Sequence, residues 1–504
     1  MPPTVQYGMV DSIGMFPKLD LDAQSDLPIY RQLYERIREL VGSGALQRGE
    51  RLPATRELAG RLGLNRTTVS AAYALLESEG LVQGHVGRGS FVLAEPQTGS
   101  PGLRWEQLLP AADALSAPAP TPSGAISFAT SRPSEELFPM DDFRLSCQEV
   151  IGERKAASIL QLGSPSGYPP LRHYLLEEAR REGVARIGDD VIVTNGCQQA
   201  LDLLQRVLVR PGDTVLVEDP VYPGLKNLFL RAGAQLAGVP VGRDGIDVAA
   251  FERLLERDRP RLLIVTPNFQ NPTGATLPAP ARRTVLRLAR AAGLVIVEND
   301  IYGELRYEGS PLAPIKQLDE AGDAVLLRSF SKLTFPGLRV GWVIGPKALA
   351  ARLADAKQLA DLHTDQLSQA VLLRFAVSGR LLAHRARMLA AGTERLRAVL
   401  EACERSLPPG ATFTRPEGGM NLWVRLPQPL DAAELLNRAQ RAGVSYLPGK
   451  YFAVARQEPG ALRLSFAGLA PEDIRAGLAI LGEIFSSELA RARLDRFESA
   501  PAMV

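Results

Sequence analysis

Lys332 lies in the run Ser329-Phe330-Ser331-Lys332-Leu333-Thr334-Phe335-Pro336-Gly337-Leu338-Arg339, in a chain that uses eight lysines against fifty arginines. A surface cation can be of either type. Only a lysine amine can lose its proton and condense with an aldehyde, because a guanidinium stays charged. The hydroxyls of Ser329 and Ser331 and the cation of Arg339 flank it, and all three suit a phosphate. An aldehyde-reactive amine beside groups that suit a phosphate points to pyridoxal 5'-phosphate.

Other polar groups recur just after short apolar runs. Asn195-Gly196-Cys197-Gln198 opens a helix, whose free N–H groups and positive dipole end suit the cofactor phosphate. Tyr222, in Asp219-Pro220-Val221-Tyr222-Pro223-Gly224, offers a flat ring to stack on a pyridine. Asn271, in Asn271-Pro272-Thr273-Gly274, and Tyr302 can donate hydrogen bonds to the ring oxygen. Asn299 and Asp300 supply a partner for the ring nitrogen; alternation along a strand points them to opposite faces, so only one of them serves unless the strand bulges. Arg463 can hold a substrate or effector carboxylate bidentately.

These groups need a frame that brings them together. Apolar runs at 191–194, 215–218, 262–266, 294–298, 325–328 and 340–344 alternate with amphipathic stretches. Such a pattern predicts a mainly parallel sheet covered by helices on both faces, an α/β architecture. Open sheets of this kind bind ligands at the C-terminal edge of their strands, so the polar signatures should converge there.

A stretch rich in Pro, Ala and Gly at 96–126 separates this domain, at 127–487, from a smaller module at 26–95. Dense Pro and Gly deny helix and sheet their hydrogen bonds, so the stretch is expected to be a linker with at most a short helix at 103–109. An N-terminal extension, 1–25, and a C-terminal tail, 488–504, complete the expected organisation.

The small module reads as helices at 28–43 and 55–62 and a third helix capped by Asn65 or Thr67, followed by a hairpin at 81–92. Two short helices joined by a Gly-containing turn suggest a helix-turn-helix, and the hairpin a wing. On the third helix Val69, Ala72, Tyr73 and Leu76 form the buried stripe. The opposite face holds Thr67, Ser70, Ala71, Ala74 and Ser78, small enough to let the helix enter a major groove. From Arg48 to Arg66 five arginines face two glutamates, whereas the whole chain carries only +2. Nucleic-acid affinity must therefore be local to this module.

Cys147, Cys197 and Cys403 are scattered and odd in number, which argues for a reducing compartment and against a disulfide framework. The four histidines are scattered too, and no metal-binding pattern appears. Residues 1–19 lack the pattern of a secretory signal, and no apolar run approaches the roughly 20 residues a membrane span needs. The expected location is the cytoplasm.

The runs Pro28-Ile29-Tyr30-Arg31-Gln32-Leu33, Leu52-Pro53-Ala54-Thr55-Arg56 and Asn65-Arg66-Thr67-Thr68-Val69 resemble the GntR family of bacterial winged-helix regulators over about 26–95. The resemblance implies binding to double-stranded operator DNA. Its phosphate or base contacts would come from Arg51, Arg56, Arg66, Thr67 and Thr68, with His85, Gly87 and Arg88 at the wing. The signatures of the large domain, in their order, resemble the fold type I aminotransferases. That likeness implies a pyridoxal phosphate transferase-like fold with Lys332 as the Schiff-base residue. The two modules together resemble the MocR subgroup, whose aminotransferase-like domain senses pyridoxal phosphate or an amino-acid or amine effector bound to it. A homodimer is expected, since one winged helix covers one half-site.

Two positions depart from the family pattern. Asn299 stands three residues before Tyr302, where aminotransferases usually carry Asp, and Leu162 stands where a Tyr usually reaches the neighbouring subunit's phosphate. Both lean toward a regulator with weak or vestigial transamination. A working aminotransferase that carries a DNA-binding module is the rival reading.

Overall fold

The computed structural model describes residues 19, 21–22, 27–85, 89–93, 124–154 and 156–498. They fall into two units, Met1–Asp113 and Ala114–Val504. In the first, α1 (Ile29–Gly42), α2 (Thr55–Leu62) and α3 (Arg66–Ser78) meet through the buried side chains Leu33, Ile37, Leu58, Val69 and Leu76. These positions form the apolar stripes expected of amphipathic helices. α2 ends where Gly63 takes the left-handed conformation at φ 64°, and Asn65 caps α3 by accepting the Thr67 N–H at 3.1 Å. Tyr73 donates to the Pro53 carbonyl at 2.8 Å and so ties α3 to the turn before α2. β1 (Val82–His85) and β2 (Gly89–Val92) pair antiparallel and close the core with Val82 and Val92.

The second unit begins with β3 (Ile126–Ser127), one residue earlier than the expected boundary at 127. Its main sheet contains β4 (Asp189–Asn195), β5 (Thr214–Asp219), β6 (Gln235–Gly242), β7 (Gly245–Ile246), β8 (Leu262–Val265), β9 (Val295–Asn299), β10 (Ala324–Ser329) and β11 (Val340–Pro346). Their order across the sheet is β4-β11-β10-β9-β8-β5-β6-β7. β10, β9, β8, β5 and β6 run parallel, while β11 runs antiparallel to both β10 and β4. The central strands are built of buried Val, Ile and Leu, as a sheet covered on both faces requires.

A smaller sheet follows, with β12 (Thr412–Phe413), β13 (Asn421–Arg425), β15 (Leu447–Pro448) and β16 (Ala461–Ser465) in the order β12-β13-β16-β15. β14 (Val444–Ser445) pairs instead with β3. The long helices Arg380–Ser406 and Pro471–Glu498 pack on this sheet through Leu396, Val399, Leu478 and Phe485.

Some expectations are revised. β6 carries Gly238 and Pro240, which mask its strand character in the sequence, and the smaller sheet was not anticipated. The last helix runs to Glu498, so the expected tail boundary at 487 falls inside it. Residues 94–123, which include the expected helix at 103–109, lie outside the described residues. Among the described residues no helix is long and apolar enough to cross a membrane.

Candidate functional site

β10 delivers the reactive amine. After Ser329 the chain makes one 3-10 turn, Phe330–Lys332, which Ser329 caps by accepting the Ser331 N–H at 3.0 Å. Phe330 and Leu333 are buried and fix the turn. His384, whose pKa burial holds below its usual range, sits 2.8 Å from the Leu333 carbonyl through Nε2 and pins the residue after the lysine. Lys332 Nζ donates to the Ser131 carbonyl at 2.7 Å and lies 5.6 Å from the centre of the Tyr302 ring.

The amine lines a cavity of about 540 Å³. Ser329, Ser331 and Arg339 line it alongside, and Cys197 and Gln198 enter from the first turn of the helix Gly196–Leu208. Gly196 lies beneath them rather than on the wall, at φ 73°. A Cβ there would fall on the Arg339 guanidinium, and one on Gly341 would come within 2.9 Å of the Gly196 backbone. Two glycines thus let β11 and the helix start approach closely, which brings an arginine and free helix N–H groups to one place. Among the described residues Arg339 donates to the Pro336 and Asn195 carbonyls and to no acid, and burial pushes the Cys197 thiol up to about 12, so it stays neutral. This is a place for an anion.

The remaining wall comes from other strand ends. Tyr222 closes over Gly224, where a Cβ would lie 2.5 Å from the ring. Asn271, after β8, donates to the Tyr302 hydroxyl at 3.4 Å and accepts from Arg463 Nη1 at 3.3 Å. Arg463, on β16, is 3% exposed and rests on the Phe452 ring. It donates to the Ala129 carbonyl, but among the described residues its Nε has no partner and no carboxylate neutralises it. Burial lowers its pKa to about 10. A buried guanidinium without a counterion calls for one from a ligand.

The choice between Asn299 and Asp300 is decided by geometry. Asn299 lines the cavity, with its Oδ1 unpartnered and its Nδ2 3.4 Å from Thr266 Oγ1. Asp300 does not line the cavity. It accepts from Asn268 Nδ2 at 2.8 Å and from Arg328 Nε at 3.1 Å, so its charge is already matched and it is withdrawn as a cofactor contact. Several cavity residues were not singled out from the sequence. Ser131, Arg132 and Tyr451 lie in irregular segments without periodicity, whereas Thr266 and the buried Glu218 beneath it close apolar runs and were open to notice.

In the first unit Arg56, Arg66 and Thr67 are exposed together, and Thr68 is half-buried. Arg51 lies along the wing, where a Cβ on Gly89 would be 2.8 Å from its Nε. Ser70, Ala74 and Ser78 expose the small face of α3. His85 belongs to β1, while Gly87 and Arg88 lie outside the described residues.

Fold and cavity together define a pyridoxal phosphate-type α/β domain behind a winged helix. The family model for aminotransferase class I and II matches residues 133–481, and that for bacterial regulatory proteins of the gntR family matches 29–92. The probable rhizopine catabolism regulatory protein MocR of Rhizobium meliloti is 31% identical over 506 residues, covering 96% of this chain and 99% of that one. Aromatic-amino-acid aminotransferase 1 of Thermococcus litoralis is 36% identical over 373 residues, 73% of this chain and 89% of that one. The solved alpha-aminoadipate aminotransferase of Thermus thermophilus, complexed with N-(5'-phosphopyridoxyl)-L-leucine, is 36% identical. It covers 73% of this chain and 94% of its own, with a TM-score of 0.69. The chain belongs to the class I and II aminotransferase family and, through its gntR-type module, to the MocR-like regulators within it. Pyridoxal 5'-phosphate is the cofactor this membership implies, and the anion cradle beside Lys332 fits it.

Glu218 generates a prediction for the cofactor-free chain. Burial pushes its carboxyl from 4.5 up to about 8. A raised folded-state value means that the stability it contributes is fully present below about pH 4.5 and is lost as pH rises to about 8. Glu218→Gln should therefore flatten the decline in stability between these limits, read from urea midpoints at several pH values. An unchanged slope would remove Glu218 as its source.

Proposed function

We propose that this chain is a DNA-binding transcription regulator whose second unit holds pyridoxal 5'-phosphate and reads an amino compound through it. The observation that carries this reading is one chain with two chemistries. An exposed basic and small-residue helix face stands in one unit, and a cavity with a lysine, an anion cradle and an unneutralised arginine in the other.

Bound there, the cofactor supplies an aldehyde that exchanges between amines and a ring that withdraws electrons. The protein's part is positioning. Ser329, Ser331, Arg339 and the N–H groups of Cys197 and Gln198 would hold the phosphate, and Lys332 would provide the covalent attachment. Tyr222 would cover the ring, Asn271 and Tyr302 would address its oxygen, and Asn299 would meet its nitrogen, since all four line the cavity. Arg463 takes a carboxylate, which favours an amino acid over a simple amine as effector.

A homodimer fits both units. One winged helix covers one half-site. In the second unit Leu160, Leu162, Leu359 and Leu362 are 76%, 73%, 91% and 55% exposed. Gln366 donates to the Gln161 carbonyl at 2.7 Å, and Asp361 accepts from Asn195 Nδ2 at 2.5 Å. These bonds hold the four leucines beside the helix that addresses the phosphate, where a second copy would cover them.

Treatment with borohydride in the presence of pyridoxal phosphate should fix a stable adduct on Lys332, and Lys332→Ala should abolish it. A reducible adduct persisting in the variant would refute the assignment. For DNA, footprinting should reveal two related half-sites, with Arg56→Ala and Arg66→Ala each weakening operator binding by about 1–3 kcal/mol. Undiminished affinity in the double variant would sink the reading of α2 and α3.

The completeness of the cavity favours one second reading, a working aminotransferase. Ordinary enzymes turn over at about 1–1,000 per second. We expect the wild type to fall below that range with common amino acids and 2-oxo acids, and Asn299→Asp to raise the rate. Wild-type turnover within the range would promote the catalytic reading.

A further inference from the structure

The stretch from Phe452 to Gly460 is irregular, yet its first residues are bonded one after another to a single place. Lys226 Nζ donates to the Tyr451 and Ala453 carbonyls at 2.8 Å each, and the Val221 N–H donates to the Phe452 carbonyl between them at 2.9 Å. The Asp219 carboxylate then accepts the N–H of Val454 at 2.9 Å and those of Ala455 and Arg456 at 3.1 Å each. Main-chain N–H groups only donate and carbonyls only accept, so the direction of every bond is fixed. Residues 451–456 are thus strapped to the segment 219–226.

The two sides of this strap are unequal. Residues 219–226 run from the end of β5 into the helix Pro223–Arg231 and are anchored by the buried Val221, Leu225 and Phe229. Residues 451–456 satisfy main-chain groups through the strap, where a strand would use a ladder. In their midst Phe452 is buried, with its ring 5.3 Å from the Arg463 guanidinium carbon and edge-on to Trp423 at 5.6 Å. That ring is the surface on which the guanidinium face lies, so the place of Phe452 sets where the charge of Arg463 points. The phosphate cradle is built elsewhere, from Ser329, Ser331, Arg339 and the start of the helix Gly196–Leu208.

We propose that Asp219 and Lys226 are positioning residues for recognition of the effector carboxylate. They act through Phe452: by strapping 451–456 to the end of β5 they hold its ring under Arg463, and so set how strongly the cavity prefers amines that carry a carboxylate. The proposal rests on the reading of Arg463 as the carboxylate site and adds two residues that do not line the cavity themselves. Loosening the strap shifts Phe452, and Arg463 with it, while the anchored segment that carries Tyr222 and the separate phosphate cradle stay in place. The loss therefore falls on the carboxylate and spares the rest of the ligand.

The test is calorimetric titration of the cofactor-free full chain with two compounds that differ only in the carboxylate, N-(5'-phosphopyridoxyl)-L-leucine and N-(5'-phosphopyridoxyl)-3-methylbutylamine. The wild type should bind the first about tenfold tighter or more, the scale of a hydrogen-bonded charge pair. Lys226→Met, which keeps the stem and removes the donors, and Asp219→Asn, which sets an amide N–H against main-chain N–H groups, should each bring the two affinities toward parity by weakening the first compound alone. Phe452→Leu, which removes the ring and keeps an apolar side chain, should do the same. If one strap variant does not fold, the other and Phe452→Leu decide. A preference that survives in the folded strap variants or in Phe452→Leu overturns the proposal, as does an equal loss for both compounds, the mark of a merely structural tie. A wild type that binds both compounds equally fails the reading of Arg463 instead, and one that binds neither fails the cofactor reading; the strap falls with either.

Discussion

Parallel strands place their C-terminal ends along one edge, and the site depends on that constraint. β4 leads into Gly196 and Cys197, β5 into Tyr222, β8 into Thr266 and Asn271, β9 ends at Asn299, and β10 leads into Lys332. β4 shares the direction of the others because antiparallel β11 stands between it and β10. Crossing from one to the next costs only close packing, which Gly341 against Gly196 supplies. The far wall is tied to the same edge. The Asp219 carboxylate accepts N–H bonds from Val454, Ala455 and Arg456, and Lys226 donates to the carbonyls of Tyr451 and Ala453 at 2.8 Å each. Tyr451 is thereby held where it lines the cavity.

Against that frame, the treatment of buried charge separates structure from site. Lys316 pairs with Asp189 at 3.1 Å, Lys357 with Asp361 at 2.6 Å, and Arg328 with both Asp300 and Glu182. Arg282, fully buried, spends its donors on three carbonyl groups and the Asn268 side chain. At the cavity the rule changes: among the described residues Arg463 has no anion beside it, and burial lowers its pKa to about 10. Leaving such groups unmatched is costly unless a ligand completes them. A ligand carboxylate near Arg463 would complete it.

Much of this was legible in the sequence because the central strands are unbroken apolar runs and each ends in a polar signature. Lys332, Asn271, Tyr222 and Arg463 could be given roles before any coordinates. What the chain concealed has physical causes. β12, β14 and β15 are two residues long, too short for any period to show, and β6 is interrupted by Gly238 and Pro240. Alternation established that Asn299 and Asp300 face apart but not which faces inward; the match of Asp300 to Arg328, a contact across two strands, decides it. Glu218 reads as the polar close of a strand, and only the structure shows it buried and bonded by the Thr266 N–H and the Gln270 amide.

Binding and turnover make different demands on this cavity. Retaining the cofactor and its ligand needs the phosphate cradle, Lys332 and Arg463, none of which involves Asn299. Rapid carbanion chemistry also needs the ring's positive charge to be strongly stabilised as electrons flow into it. Asn299 lines the cavity where aminotransferases usually carry Asp, and a neutral amide offers a developing charge less stabilisation than a carboxylate would. On the function proposed here, a cavity so arranged would bind amino compounds while giving little help to the step that would consume them. A ligand that is held and not converted is what a sensor linked to a DNA-binding module requires.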